Sequence, residues 1–224
     1  MENEQTPQGE NSAIQEFGQM QLPQLDQQKS PIHIISIIGQ IEGHTILPPQ
    51  NKATKYEHII PQLVAVEQSE NIKGLLLIMN TIGGDVEAGL AISEMIKGMS
   101  KASVSLVIGG GHSIGVPLAA STDYSFISDS ASMTVHPIRM NGLIITVPQT
   151  FDYFNKMQER IIRFVSDNSK ISENDFRALM FNTQEMANDT GTTLIGKEAV
   201  EAGIIDEVGG IKQALDKLNQ MISQ

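Results

Sequence analysis

The chain contains no cysteine, which excludes disulfides, cysteine-ligated zinc and a thiolate nucleophile together. Such a composition suits the reducing cytoplasm, the location expected for it. It has no run of about 18 apolar residues, so no membrane-spanning helix is expected. It opens Met-Glu-Asn-Glu with no apolar stretch behind it, which does not read as a secretory signal. Basic residues are in deficit: 15 Lys and Arg against 26 Asp and Glu give a net charge of −11, and the isoelectric point is about 4.8. Nucleic acid, whose phosphates require a basic face, is therefore not an expected partner. Histidine is scarce, with five residues at positions 33, 44, 58, 112 and 136 and none in the H-E-x-x-H spacing. No metal and no cofactor are expected. There is no G-x-x-x-x-G-K-[ST] loop either, so any ATP chemistry would belong to another protein.

The chain is 224 residues long and 40% hydrophobic, enough to fill one core. Residues 1–30, "MENEQTPQGENSAIQEFGQMQLPQLDQQKS", are rich in Gln, Glu, Asn and Pro. Too little apolar surface is available there to offset the entropy of ordering, so a flexible tail is expected, with a single domain over 31–224. From Pro31 onward the runs "IHIISII", "GLLLIMN" and "SVSLVIGG" read as buried strands, followed by strand-like "YSFIS", "SMTVH" and "LIITV". Between the first strands lie two amphipathic stripes. One is Tyr56, Ile59, Ile60, Leu63 and Val64, with Pro61 either kinking that helix or opening its main part. The other is Ala88, Ile92, Met95, Ile96 and Met99. A long helix is expected from about Thr150 to Asp167, and a closing helix carries Ile211, Leu215, Leu218 and Ile222. Strands alternating with helices predict an α/β domain with largely parallel pairing.

Chemistry enters at "LVIGGGHSIGVPLAAS", residues 106–121, where Gly111-His112-Ser113-Ile114-Gly115 fits the G-x-S-x-G pattern of a nucleophilic serine. An α/β-hydrolase would need its acid and then its histidine after this serine. The sole later histidine is His136, 23 residues on, with Asp123 and Asp129 between them. That interval leaves no room for the elements such a fold inserts, so the α/β-hydrolase reading fails. The order Ser113, His136, then a later acid is better supported. A serine at a helix start after a buried strand, beside a histidine at a strand end braced by Pro137, is a sound arrangement for a nucleophile and its base.

"MNTIGGDVEAG", "GGGHSIGVPLAAS", "MTVHP" and "GKEAVEAGIIDEV" occur in that order and together resemble the proteolytic subunit of the Clp-type serine peptidases. The more specific resemblance is to the branch of that family called translocation-enhancing protein, over about residues 31–215. It implies a spiral of ββα units, a Clp protease/crotonase-like fold, as one domain with an added helical arm. It also implies peptide-bond hydrolysis by Ser113 with His136 as base. The tetrahedral oxyanion needs donors already aimed at it, and the N–H groups of Ile114 and Gly83 are the candidates. His112 reads as a residue lining the site or packing nearby, since neighbouring side chains diverge at a helix start.

The acid is the least secure member. An ungapped match of "TTLIGKEAVEAGIID" to the family tail puts Gly191 where the proteolytic subunits carry their aspartate, so the choice falls on Asp189, two residues earlier. Asp206 matches the family's tail aspartate and is taken as structural, while Asp167 and Asp175 sit on helical segments. The resemblance further implies that "PIRMNGLIITV", after His136, pairs with an extended polypeptide substrate. Candidate substrate contacts are then Gly84, His112, Asn141, Gly142 and Leu143. It implies a homo-oligomer as well, a heptameric ring or stacked rings, and leaves open whether an unfolding ATPase is a partner. Phe151, Phe154, Met157, Ile161 and Ile162 give the long helix more apolar surface than one small domain needs. Two rivals stay open: a Clp-like scaffold that binds polypeptides with little or no catalysis, and a crotonase-type acyl-CoA enzyme that uses two backbone N–H groups and no Ser–His pair.

Overall fold

A computed structural model describes residues 30–139, 147–184 and 190–224. The expected tail over 1–30 lies outside these apart from Ser30, and the expected strand "LIITV" lies outside them apart from Val147. Ile32–Gln224 form one compact unit, a mixed α/β fold.

The strand spine follows from the apolar runs. β1 (Ile32–Glu42), β3 (Gly74–Gly84) and β4 (Ala102–Gly111) lie side by side and parallel, with β2 (Ala53–Lys55) on one flank and β5 (Tyr124–Ile127) and β8 (Glu207–Val208) on the other. All pairings along this path are parallel. Parallel strands need crossovers that cover the sheet faces, and this is why their sequences run apolar on both faces. Ile35, Ile37, Leu75, Leu77 and Met79 are buried on the face covered by α1 (Tyr56–Gln68) and α2 (Val86–Lys97). Leu76, Val104 and Leu106 are buried with Phe126 on the opposite face, beneath Ala214 and Leu218 of α7 (Ile211–Ile222). β6 (Ser132–Val135) leaves this sheet, pairing with β4 at Gly110↔Ser132 and antiparallel with β7 (Thr192–Ile195).

The helices meet expectation with two adjustments. In α1 the buried stripe is Ile59, Leu63 and Val66, whereas Val64 is 40% exposed. Steps of four and three, from Ile59 to Leu63 and on to Val66, keep one face inward, and Val64, about 100° round the helix from Leu63, faces out. α1 runs through Pro61 without breaking. α4 (Val147–Asp167) starts three residues earlier than expected. Along it Ile161 and Ile162 are buried while Phe151 is 65% exposed. The remaining helices are α3 (Gly115–Ala120), α5 (Glu173–Met180) and α6 (Lys197–Glu201). Among the described residues no helix is long and apolar enough to cross a membrane.

Asp206 has the structural role expected of it. Its Oδ2 accepts from the Ser125 N–H and Oγ, each at 3.0 Å, and its Oδ1 lies 2.8 Å from Lys170 Nζ. The Asp206 N–H in turn donates to Ser125 Oγ. This ring of bonds ties the turn before β8 to β5, away from the serine.

Candidate active site

The ends of β3, β4 and β6 converge. β4 stops at Gly111, and the chain turns through His112, Ser113 and Ile114 into α3. Backbone bonds brace the turn from both sides: the His112 N–H donates to Thr81 O (3.1 Å) and the Ser113 N–H to Thr134 O (2.8 Å). Ser113 holds a φ of 57°, a left-handed conformation that a non-glycine residue adopts only where its surroundings enforce it. The turn thereby presents Ser113 at the crest between strand and helix. α3 has six residues, so the local N–H groups matter more here than a helix dipole. The Ile114 N–H has no acceptor among the described residues.

A cleft of about 170 Å³ opens beside this turn, lined by Gly84, Val86, Ser113, Ile114, His136, Pro137, Ile138, Arg139 and Ile161. Ser113 and His136 are thus brought together. Ser113 Oγ makes no hydrogen bond to a described residue; resting active sites commonly show loose geometry of this kind. His136 Nδ1 lies 2.7 Å from Pro137 O. A carbonyl oxygen can only accept, so Nδ1 carries the proton, and in the neutral ring Nε2 keeps the lone pair.

The two glycines of "NTIGGD" differ in what they do. Gly83 presses against the serine: a Cβ on it would stand 2.7 Å from Ser113 Cβ and 3.2 Å from Ser113 Oγ. Its N–H is engaged, however, donating to Thr81 Oγ1 at 3.0 Å, while that hydroxyl donates to Gly39 O at 2.6 Å. Gly84, one residue on, lines the cleft. The Gly83 N–H is thus already committed, and Gly84 is the glycine of the pair that lines the cleft. Thr81 and Asn80, whose Oδ1 accepts from the Gly110 N–H at 2.9 Å, brace these strand ends. Neither was singled out from sequence, where the one available signal was their place in "NTIGG".

His112 does not line the cleft. Its ring lies over Gly110, where a Cβ would meet Cδ2 and Nε2 at 2.8 Å, and its Nδ1 is buried without a hydrogen-bond partner among the described residues. Burial, and then the charge of His136, holds His112 below the ordinary imidazole value of 6.5. His33 is likewise lowered by burial, opposed by a hydrogen bond with Gln62. Both shifts disfavour the cation in the folded state, so below about pH 6.5 the unfolded chain binds more protons. Their contribution to stability is present above that value and is lost as pH falls through the lowered folded-state values. The melting temperature should therefore drop between about pH 7 and 5.5, and His112→Gln and His33→Gln should each flatten that slope. Melting curves of unchanged slope in both variants would contradict this.

Gly191 sits against the base. With φ at 140°, a Cβ there would stand 2.4 Å from Val135 O and 2.9 Å from His136 Cβ. A side chain at this position collides with backbone, so the family's aspartate position cannot hold a carboxylate in this loop arrangement. Asp189 lies outside the described residues, as do Asn141, Gly142 and Leu143. The hydroxyl of Thr192 donates to Leu179 O (2.9 Å) and accepts from Asn182 Nδ2 (3.2 Å).

A strand-end serine in strained backbone, a histidine across the cleft and an N–H without an acceptor beside the serine are gathered at one edge of an α/β scaffold, and these are the groups that serine-hydrolase chemistry uses. The Clp protease family model matches residues 27–212, and the chain belongs to that family. It is 58% identical over 218 residues to the translocation-enhancing protein TepA of Halalkalibacterium halodurans, covering 97% of this chain and 84% of that protein. It is 29% identical over 157 residues to the ATP-dependent Clp protease proteolytic subunit of Lactococcus lactis, covering 67% and 74% respectively. A putative protease of Methanocaldococcus jannaschii is 26% identical over 207 residues, covering 80% of this chain and 65% of that one.

Proposed function

We propose that this protein is a serine endopeptidase acting on extended polypeptides. The observation that carries the reading is the shared cleft of Ser113 and His136 with the uncommitted Ile114 N–H beside them. In the first step Ser113 Oγ attacks the peptide carbonyl carbon as His136 Nε2 takes the hydroxyl proton. The carbonyl oxygen becomes an oxyanion, held by the N–H groups of Ile114 and Gly84. The intermediate collapses by breaking the C–N bond, and His136 returns the proton to the leaving amine. Water, deprotonated by the same Nε2, then cleaves the acyl-serine ester and restores the hydroxyl. The walls contributed by Val86, Ile114, Ile138 and Ile161 suit an apolar side chain on the residue whose carbonyl is attacked.

The test is labelling with a serine-directed fluorophosphonate and location of the adduct by mass spectrometry. Modification at Ser113 supports the peptidase; a chain left unlabelled returns the choice to a silent polypeptide-binding scaffold or an acyl-CoA enzyme.

For the third member of the machinery, the Pro137 carbonyl lies within hydrogen-bond distance of Nδ1 and is a partner for it beside the expected Asp189. Asp189→Asn should then lower turnover by less than about tenfold, against about 10⁴-fold where a carboxylate alone fixes the tautomer. A loss near the larger figure returns the role to Asp189.

We infer also that the chain works as a homo-oligomer, as a ring or stacked rings. Phe151 on α4 is 65% exposed, more apolar surface than a lone chain usefully shows to water. Light scattering should give a multiple of 24.4 kDa; a monomer at micromolar concentration would refute it. Any ATP-driven unfolding of substrate would fall to a separate chain.

A further inference from the structure

Next to the catalytic cleft lies a second groove of about 270 Å³, between the start of α2 and the outer face of α4. It shares Val86, Ile138 and Arg139 with the cleft, so the two cavities are neighbours divided by a common wall. Its far side is built from Tyr153, Phe154 and Met157. The Tyr153 and Phe154 rings stand edge to face, with centroids 5.5 Å apart and planes at 81°. Tyr153 is 53% exposed, an aromatic surface held open beside the reactive serine. The carboxylates at the rim are committed, and Arg139 stands with them in the lining. Both Glu87 carboxylate oxygens accept from Arg160, at 2.6 and 3.1 Å, and Asp85 Oδ1 accepts from the Ala88 N–H that it caps.

In an extended peptide, side chains two residues apart point to the same side, roughly 6.5–7 Å from one another. A chain with one side chain in the catalytic cleft therefore projects another, two residues away, over an adjoining cavity on that side. We propose that this groove is a second specificity subsite. It selects a large uncharged apolar side chain, aromatic or methionine, at the second residue from the one in the catalytic cleft. Tyr153, Phe154 and Met157 supply the recognition, an edge-to-face partner for a ring and a polarisable contact for a thioether. Because the rim carboxylates are bound to Arg160 and to the α2 terminus and the other charge in the lining, Arg139, is itself a cation, a basic side chain gains no strong partner and loses hydration. The proposal rests on the polypeptide-binding part of the functional reading and extends it to sequence preference.

The experiment uses the full chain carrying Ser113→Ala, so that nothing is turned over, and fluorescein-labelled peptides read by anisotropy. One fixed apolar residue serves the cleft, and the residue two positions before or after it is Phe, Met, Gly or Lys. For one of these two positions, Phe and Met should bind about tenfold more tightly than Gly, with Lys weakest. Adding Tyr153→Ala or Met157→Ala should cut that preference to under about threefold and leave the preference at the cleft residue intact. Equal binding of all four peptides in both series overturns the proposal, as does failure of every peptide to bind. A Tyr153→Ala variant that changes molar mass but not peptide preference also overturns it, assigning the groove to contact with a second copy of the chain. Fluorophosphonate labelling separates the two readings. An unlabelled parent with the preference present removes the peptidase and keeps the subsite, while a labelled parent without the preference does the reverse.

Discussion

Ser113→Ala is expected to abolish peptide cleavage and fluorophosphonate labelling while leaving the fold intact. The Oγ is the only atom lost, and it makes no hydrogen bond to a described residue, so little folding energy should go with it. Alanine, like serine, must accept the φ of 57°, which leaves the backbone strain where it was. What disappears is the nucleophile. Loss of the nucleophile in a serine peptidase costs about 10⁶ in turnover, with the residual rate coming from oxyanion donors and binding. Ser113→Gly supplies the control that a merely structural serine would fail. Glycine adopts positive φ without penalty, so this variant should be as inactive as Ser113→Ala yet melt higher, by about 2–4 °C if roughly 1 kcal/mol of strain is released. Undiminished hydrolysis of a fluorogenic peptide by Ser113→Ala would remove the residue from the mechanism.

The second large effect is expected at His136. His136→Ala removes the group that takes and returns the proton in each half-reaction, and should lower kcat/KM by about 10²–10⁴-fold. His112→Ala should cost less than about threefold by the same measure, because its ring is turned over Gly110 rather than into the cleft. The comparison is informative because both histidines neighbour the serine, one in sequence and one in space. If His112→Ala proves the more damaging of the two, the base has been misassigned. Circular dichroism and melting curves of both variants must match the parent for the ranking to count.

The order of motifs carried the family, and the reason is physical. Buried parallel strands demand apolar residues on both faces, and the strand-to-helix turns at their ends demand glycine. "GLLLIMNTIGG" and "SVSLVIGGGHS" therefore announce both strand and turn in one stretch of chain. The separation of Ser113 from His136 excluded one hydrolase fold by length alone. α1 shows the limit of such reading: the apolar residues located the helix, but the face that is buried depends on what packs against it, and Val64 stays out.

At the site the division is sharper. By itself the sequence determined that a serine ends one buried strand, that a histidine ends another, and that no carboxylate stands at position 191. These are properties of residue type and order. That the Gly83 N–H is already committed was decided by the tertiary structure, since Gly83 and Gly84 are alike in sequence and differ because the Thr81 hydroxyl, held by Gly39 O, captures the first of them. The same holds for the hydrogen bond from His136 Nδ1 to Pro137 O and for the collision that closes position 191 to a side chain. Hydrogen bonds and steric contacts of this kind depend on the folded backbone geometry to within a few tenths of an ångström, and no local pattern of residue types encodes them.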